Sequence, residues 1–357
     1  MTAEEIRTLF AAGFSVEAQL YTAERRTDWQ AVLDGMAFVP VDYQRLQLDY
    51  QETYMRAFVD SLVDLSVILY HGGKPVGIWP VSILCREGHW QMGTNQGRVL
   101  PPVYLVAMSE RLIRKYDTAC LAAMDALHAK LYNVLELSEK WGGQTSFLPS
   151  ALAPQMLAWE TLCMEHGARA HVEHELYADL TLSEEELHQH LRKSYRSLLH
   201  EGEKLWRVTV LDDVDHETFT EFRLLHRAVA GRVTRPVETW DLQERAIHED
   251  KDFLVLLHNA ENRLIGCGLF SASRDMSTYG VGAYDRSLFD KPVSHIVQWT
   301  AILHAKALGC RWHYIGARFY PGDERQATEK ELSIAYYKEG FATNRFLNVL
   351  LEVPFQK

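Results

Sequence analysis

No two of the five cysteines lie close together in this 357-residue chain: Cys85, Cys120, Cys163, Cys267 and Cys310 are scattered. That dispersal argues against a disulfide framework and against zinc spacing, and it points to reduced, buried thiols in a cytoplasmic protein. No uninterrupted apolar run approaches the roughly 20 residues of a membrane span. Met1 to Phe10 carries acids and no apolar centre, so no secretory signal is expected there. Positive charge is not in excess: 37 Lys and Arg face 48 Asp and Glu, for a net charge of -11. This balance excludes a nucleic-acid coat protein or a protein held to acidic lipid by bulk charge, though not a local basic pocket. Nucleophile and phosphate motifs are also missing. There is no Gly-x-Ser-x-Gly, no His-Glu-x-x-His, no Gly-x-x-x-x-Gly-Lys loop and no dinucleotide glycine pattern after a strand. The 16 histidines are dispersed, and His188 and His190 have the wrong spacing to share a helix face, so no metal site is expected.

What the chain does have is length and apolar matter. With 47% hydrophobic residues over 357 positions it can build more than one core, and two domains are expected, 1–170 and 171–357. Pro40 breaks a mixed helical start. Leu46, Tyr50, Tyr54, Phe58 and Leu62 recur every four residues, which predicts one amphipathic helix over 42–65. Helices are also predicted over 117–131, 151–166, 215–230 and 241–248, and a short strand over 132–137. Ser183 with Glu186 three residues on reads as a capping box opening a helix that runs to Gly202.

Two hairpins share one plan. Leu65-Ser-Val-Ile-Leu-Tyr-His71, a turn, and an apolar strand from Val76-Gly77 match Phe253-Leu-Val-Leu-Leu-His258, a turn, and a strand from Ile265-Gly266. Each is followed by a third extended segment, a helix and a short strand: 117–137 in the first case, 294–316 in the second. This pattern reads as a diverged duplication of one α/β unit of domain size.

The candidate chemistry is cationic and aromatic. Arg192 and Arg196, four apart, are expected on one helix face beside Lys193, where they suit a phosphate or carboxylate. Arg232 and Arg235 flank a loop stiffened by Pro236. Tyr279 and Tyr284 lie on a glycine-bearing strand that lets a ligand approach. Asp285 follows it, and the helix start near Ser294 and His295 offers free N–H groups. Lys338 sits in the run Ser333-Ile-Ala-Tyr-Tyr-Lys-Glu-Gly-Phe341, beside Tyr337.

From about His174 onward the chain resembles the Fem family of aminoacyltransferases, within the wider acyl-CoA N-acyltransferase (GNAT-like) fold. Four stretches carry the likeness: Leu191-Arg-Lys-Ser-Tyr-Arg196, the loop from His226 to Pro236, Tyr279-Gly-Val-Gly-Ala-Tyr284 with the helix after His295, and Ile334-Ala-Tyr-Tyr-Lys-Glu-Gly-Phe341, which matches the family's closing Phe-Lys-x-x-Phe/Gly-Phe pattern. The resemblance implies an α/β (α+β) chain of two tandem GNAT-like domains, each a mixed, mainly antiparallel sheet flanked by helices. It also implies transfer of an activated acyl or aminoacyl group to an amine of a cell-envelope (peptidoglycan), sugar or peptide precursor. Lys338 then holds a phosphate or the reacting carboxyl, Asp285 or Glu329 acts as base, Arg192, Arg196, Arg232 and Arg235 bind a small anionic or nucleotide-linked substrate, and Tyr279 and Tyr337 line the channel. The donor stays open between acyl-CoA and aminoacyl-tRNA, because the family's tRNA-binding helical arm and the Gln/Arg-x-x-Gly-x-Gly/Ala loop of acetyl-CoA users are both missing. Two alternatives stand beside this reading: an acetyl-CoA-dependent acetyltransferase acting on an amino sugar, and a non-catalytic binding protein of the same fold.

Overall fold

The computed structural model describes residues 1–93, 98–132, 134–144, 157–249 and 252–356. They form two compact units, Met1–Val172 with Asn348–Lys357, and Glu173–Leu347. The C-terminal segment therefore departs from the expected division: Leu350–Pro354 pairs antiparallel with Lys140–Gln144 and belongs to the first unit.

In the first unit the predicted hairpin is Val67–His71 and Lys74–Trp79, antiparallel, between Ala18–Leu20 and Val103–Tyr104. The chain then turns at Pro80 and Val81 into a second sheet, ordered Ser61–Asp64, Ser82–Arg86, His89–Gly93, Glu136–Leu137. The helix expected over 42–65 is corrected. A helix spans only Arg45–Arg56, and Leu62 lies on a strand opposite Leu84. Strand pairing there overrides a four-residue spacing that Phe58, half exposed, does not bury. The strand over 132–137 shrinks to Glu136–Leu137 because the long helix Glu110–Leu131 is followed by a turn. Of the helix over 151–166, the part before residue 157 lies outside the described residues, and Ala158–Glu165 is helical.

The second unit carries a sheet ordered Arg207–Leu211, Asp252–His258, Leu264–Ala272, Met276–Tyr284, Trp312–Arg318, Arg169–Asp179. All neighbours are antiparallel except Met276–Tyr284 with Trp312–Arg318, which run parallel. Alternation along Asp252–His258 explains its unbroken apolar run: Phe253, Val255 and Leu257 enter one core cluster, Leu254 and Leu256 another on the opposite face. The helices Val293–Ala307 and Lys193–Leu205 cover the first face, and His216–Ala230 and Val237–His248 the second.

The helix expected from Ser183 to Gly202 is two helices, Glu184–His190 and Lys193–Leu205. Leu191 and Arg192 are extended, with ψ of 142° and 132°. The reason is tertiary: the Arg192 backbone N–H donates to the Gly340 carbonyl at 2.9 Å instead of continuing the first helix. The last helix, Glu329–Glu339, opens on a Thr328–Glu331 capping box and ends at Gly340. Lys338 occupies its final turn, where a cation complements the helix dipole.

Candidate functional site

The site grows from one parting of strands. Met276–Tyr284 and Trp312–Arg318 keep only three parallel register pairs, Met276–Trp312 to Thr278–Tyr314, and then separate. Both strands bulge where they part. Gly280 is the extra residue against Leu264–Ala272, and Ile315 the extra residue against Arg169–Asp179. Such bulges bend a strand and redirect its side chains.

The Lys338 side chain reaches this parting from the last helix. Its ammonium lies 5.8 Å from the centre of the Tyr279 ring. Gly316, with φ of +135°, provides the space: a Cβ there would lie 2.5 Å from Lys338 Nζ. The side chain is largely buried, burial pulls its pKa below the ordinary lysine value, and its ammonium has no hydrogen bond or ion pair among the described residues.

Behind it sits His313, fully buried. Its Nε2 lies 2.7 Å from the Gln298 amide nitrogen and its Nδ1 2.8 Å from Ser277 Oγ. The amide donates to Nε2, so the ring proton is on Nδ1 and points to Ser277. Burial first, and the Lys338 charge second, push its pKa down to about 3. A neutral imidazole with both nitrogens engaged is a fixed wall of the site.

Three tyrosines complete it. Burial raises Tyr279 to about 12 and pushes Tyr284 and Tyr337 well above the ordinary tyrosine value. Tyr284 hydrogen-bonds Tyr279, and Ser294 hydrogen-bonds Tyr337. Gly282 makes room for the first of these, since a Cβ there would lie 2.2 Å from the Tyr279 hydroxyl. His295 packs edge-on to Tyr337 with ring centres 5.1 Å apart, and burial with the nearby Arg192 charge brings it down to about 4. The arrangement offers one unneutralised ammonium amid neutral, proton-holding rings. It suits an anionic group or a developing oxyanion, and it contains no activated nucleophile.

The predicted residues divide. Lys338, Tyr279 and Tyr337 come together here. Arg192 and Arg196 do not share a helix face, because the chain breaks between the two helices. The Arg192 guanidinium donates to the Tyr336 carbonyl at 2.6 Å and stacks 3.8 Å above the Tyr336 ring. Arg196 donates to the carbonyls of Gln189 and Leu191 and closes the end of the Glu184–His190 helix. Arg232 is exposed, and Arg235 packs 4.5 Å over Trp240 and donates to Gln243. Asp285 caps a turn by accepting from the Ser287 N–H and hydroxyl and pairs with Arg263 at 3.0 Å; the Ser287 hydrogen bonds lower its pKa. Glu329 is exposed in the first turn of the last helix. Sequence reasoning missed His313, Ser277, Gln298 and Gly316. The one local signal was a histidine in an otherwise inward-facing strand.

Among the described residues no group of three or more His, Cys, Asp or Glu is placed to hold a metal ion, and no helix is long and apolar enough to cross a membrane. All five cysteine thiols are buried and free.

The chain matches no known protein-family signature and no curated protein. Solved structures do match it over nearly its whole length. A FemX crystal structure aligns with a TM-score of 0.60 at 12% identity, covering 95% of this chain and 97% of the other. The C-terminal domain of a putative lysylphosphatidylglycerol synthetase from Agrobacterium fabrum aligns at 0.57 and 10% identity, covering 91% of each chain. L-PGS from Bacillus licheniformis aligns at 0.53 and 11% identity, covering 92% of this chain and 91% of the other. At such identities the likeness is one of fold: the chain has the Fem-type, GNAT-like α/β fold.

Proposed function

We propose that the chain is an N-acyl- or aminoacyltransferase whose reaction takes place at Lys338 in the Glu173–Leu347 unit. The observation that carries this reading is the largely buried Lys338 ammonium where the two strands part, without a hydrogen bond or ion pair among the described residues and walled by neutral His313 and by Tyr279 and Tyr337. The fold shared with FemX and the lysylphosphatidylglycerol synthetase domain supports the reaction class.

In such a transfer the acceptor amine attacks an activated carbonyl carbon. A C–N bond forms, the C–S or C–O bond to the donor breaks, and the amine proton leaves with the departing group or with water. No covalent enzyme intermediate is needed, in keeping with the absence of a nucleophile. Lys338 holds the donor's anionic group or the oxyanion, and positioning and electrostatics supply the rate. Asp285 is engaged by Ser287 and Arg263, which leaves it a poor base for this step. The donor is acyl-CoA or an aminoacyl-tRNA, and the acceptor is an amine of a cell-envelope, sugar or peptide precursor.

Calorimetric titration with acetyl-CoA and with a charged tRNA tests the donor, and transfer of radiolabelled acyl group to an amine acceptor tests the reaction. Binding of one donor with Lys338-dependent transfer is expected. Binding of neither donor would leave a non-catalytic protein of the same fold, and wild-type transfer by Lys338→Ala would remove Lys338 from the mechanism.

A further inference from the structure

The Met1–Val172 unit has a cavity of about 810 Å³, large enough for a small organic ligand, with walls that include Met36, Phe38, Leu105, Met108, Ile113 and Trp159. Of the charged residues in that lining, Glu110, Arg111 and Arg114 are exposed, and two are buried. Glu160 accepts from the Leu157 N–H at the start of the Ala158–Glu165 helix. Asp117, 1% exposed, lies in the second turn of the Glu110–Leu131 helix. It does not cap the helix. Its Oδ1 accepts from the Tyr104 hydroxyl at 2.6 Å, and beyond Tyr104 it has no hydrogen-bond or ion-pair partner among the described residues. A buried carboxyl without a cation is costly to keep, and one partner leaves most of its acceptor sites empty. Burial raises it to about 7, so it titrates where a cationic ligand can draw it into the ionised form. Trp159 adds an indole N–H that is also unpartnered among the described residues.

We propose that this cavity binds a small molecule with an ammonium group on an apolar body, the ammonium pairing with Asp117 and the body filling the pocket. Charge complementarity selects this occupant: Glu160 is engaged at its helix start, whereas Asp117 is an acceptor in need of a donor, and a neutral apolar ligand would leave it as it is. The inference is independent of the Lys338 site.

The test is titration of the full chain with 4-phenylbutylamine and, as its neutral counterpart, 4-phenylbutanol. The amine is expected to bind at least about tenfold tighter than the alcohol, as for a charge-assisted hydrogen bond. Asp117→Asn keeps the acceptor for Tyr104 and removes the charge, and it is expected to abolish the difference. Should that variant fail to fold, nuclear Overhauser contacts between the ligand's aryl protons and Trp159 in the wild-type chain locate the site without it. Equal binding of amine and alcohol, no binding of the amine, unchanged preference in Asp117→Asn, or contacts that avoid Trp159 each overturn the proposal.

Discussion

A Cβ on Gly316 would stand 2.5 Å from Lys338 Nζ, so the ammonium occupies the volume that any other residue's side chain would take. Gly316→Ala therefore has two separable effects. The φ of +135° strains an L-residue, which costs about 1–3 kcal/mol. The clash falls on the flexible end of a lysine, so it displaces the ammonium cheaply rather than disrupting the fold. Chemical denaturation is expected to register the strain, and transfer to fall with it. In the double variant with Lys338→Ala the strain cost should persist, since it belongs to the backbone. A double variant as stable as Lys338→Ala alone would show that the clash, not φ, was the source.

Lys338→Met tests the ammonium directly. Transfer is expected to fall about 100-fold, the scale for loss of one oxyanion-stabilising group. Stability is expected to rise by about 1 kcal/mol, because a desolvated charge with no anion beside it among the described residues is replaced by an apolar chain of similar length. Its lowered pKa gives the same sign: above the folded pKa and below the unfolded one, the unfolded chain binds the extra proton, so wild-type stability rises with pH there. A drop in stability in Lys338→Met at neutral pH would mean that the lysine has a partner.

How far the site could be read in the sequence follows from what each part depends on. The Phe253–His258 hairpin, the Val293–Ala307 helix and Lys338 were legible because periodicity, turn residues and one conspicuous cation are local. Arg192 was legible as a residue but not in its role, because its backbone bond to Gly340 spans more than a hundred positions and breaks the helix expected from Ser183 to Gly202. Gly316 looked like the end of a strand, and only a lysine from a later helix explains it. The Ser277–His313–Gln298 chain joins two strands and a helix, and no window of sequence contains it.

His313 sets a pH signature. Its folded pKa is about 3 against an ordinary 6.5. As pH falls through that window the unfolded chain takes up a proton that the folded chain refuses, so His313 contributes stability above 6.5 and loses it towards 3. The raised Asp117 and Glu52 carboxyls act in the opposite sense, so total stability mixes the two. Comparison with His313→Gln isolates the histidine. Between pH 7.5 and 4.5 wild type is expected to lose roughly 2–3 kcal/mol more than the variant. Parallel pH profiles would show that the ring is protonated in the folded protein.

Arg192 separates two roles by two measurements. Its guanidinium reaches the Tyr336 carbonyl, stacks on the Tyr336 ring and touches the Tyr195 hydroxyl at 3.1 Å, and that hydroxyl in turn donates to the Tyr337 carbonyl at 2.9 Å. The two carbonyls immediately before Lys338 are thus held from the Lys193–Leu205 side. If Arg192 positions Lys338, Arg192→Ala loses about 1–2 kcal/mol of stability, after allowance for solvent, and kcat falls about tenfold with KM little changed. Arg192→Lys recovers little, because an ammonium cannot reproduce a fork that both stacks and donates. If Arg192 instead binds an anionic substrate, stability stays at the wild-type value and KM rises. Denaturation curves and steady-state kinetics on the same preparations distinguish the two, and the geometry favours the first: a guanidinium that caps a helix end and stacks on its last exposed ring is already engaged.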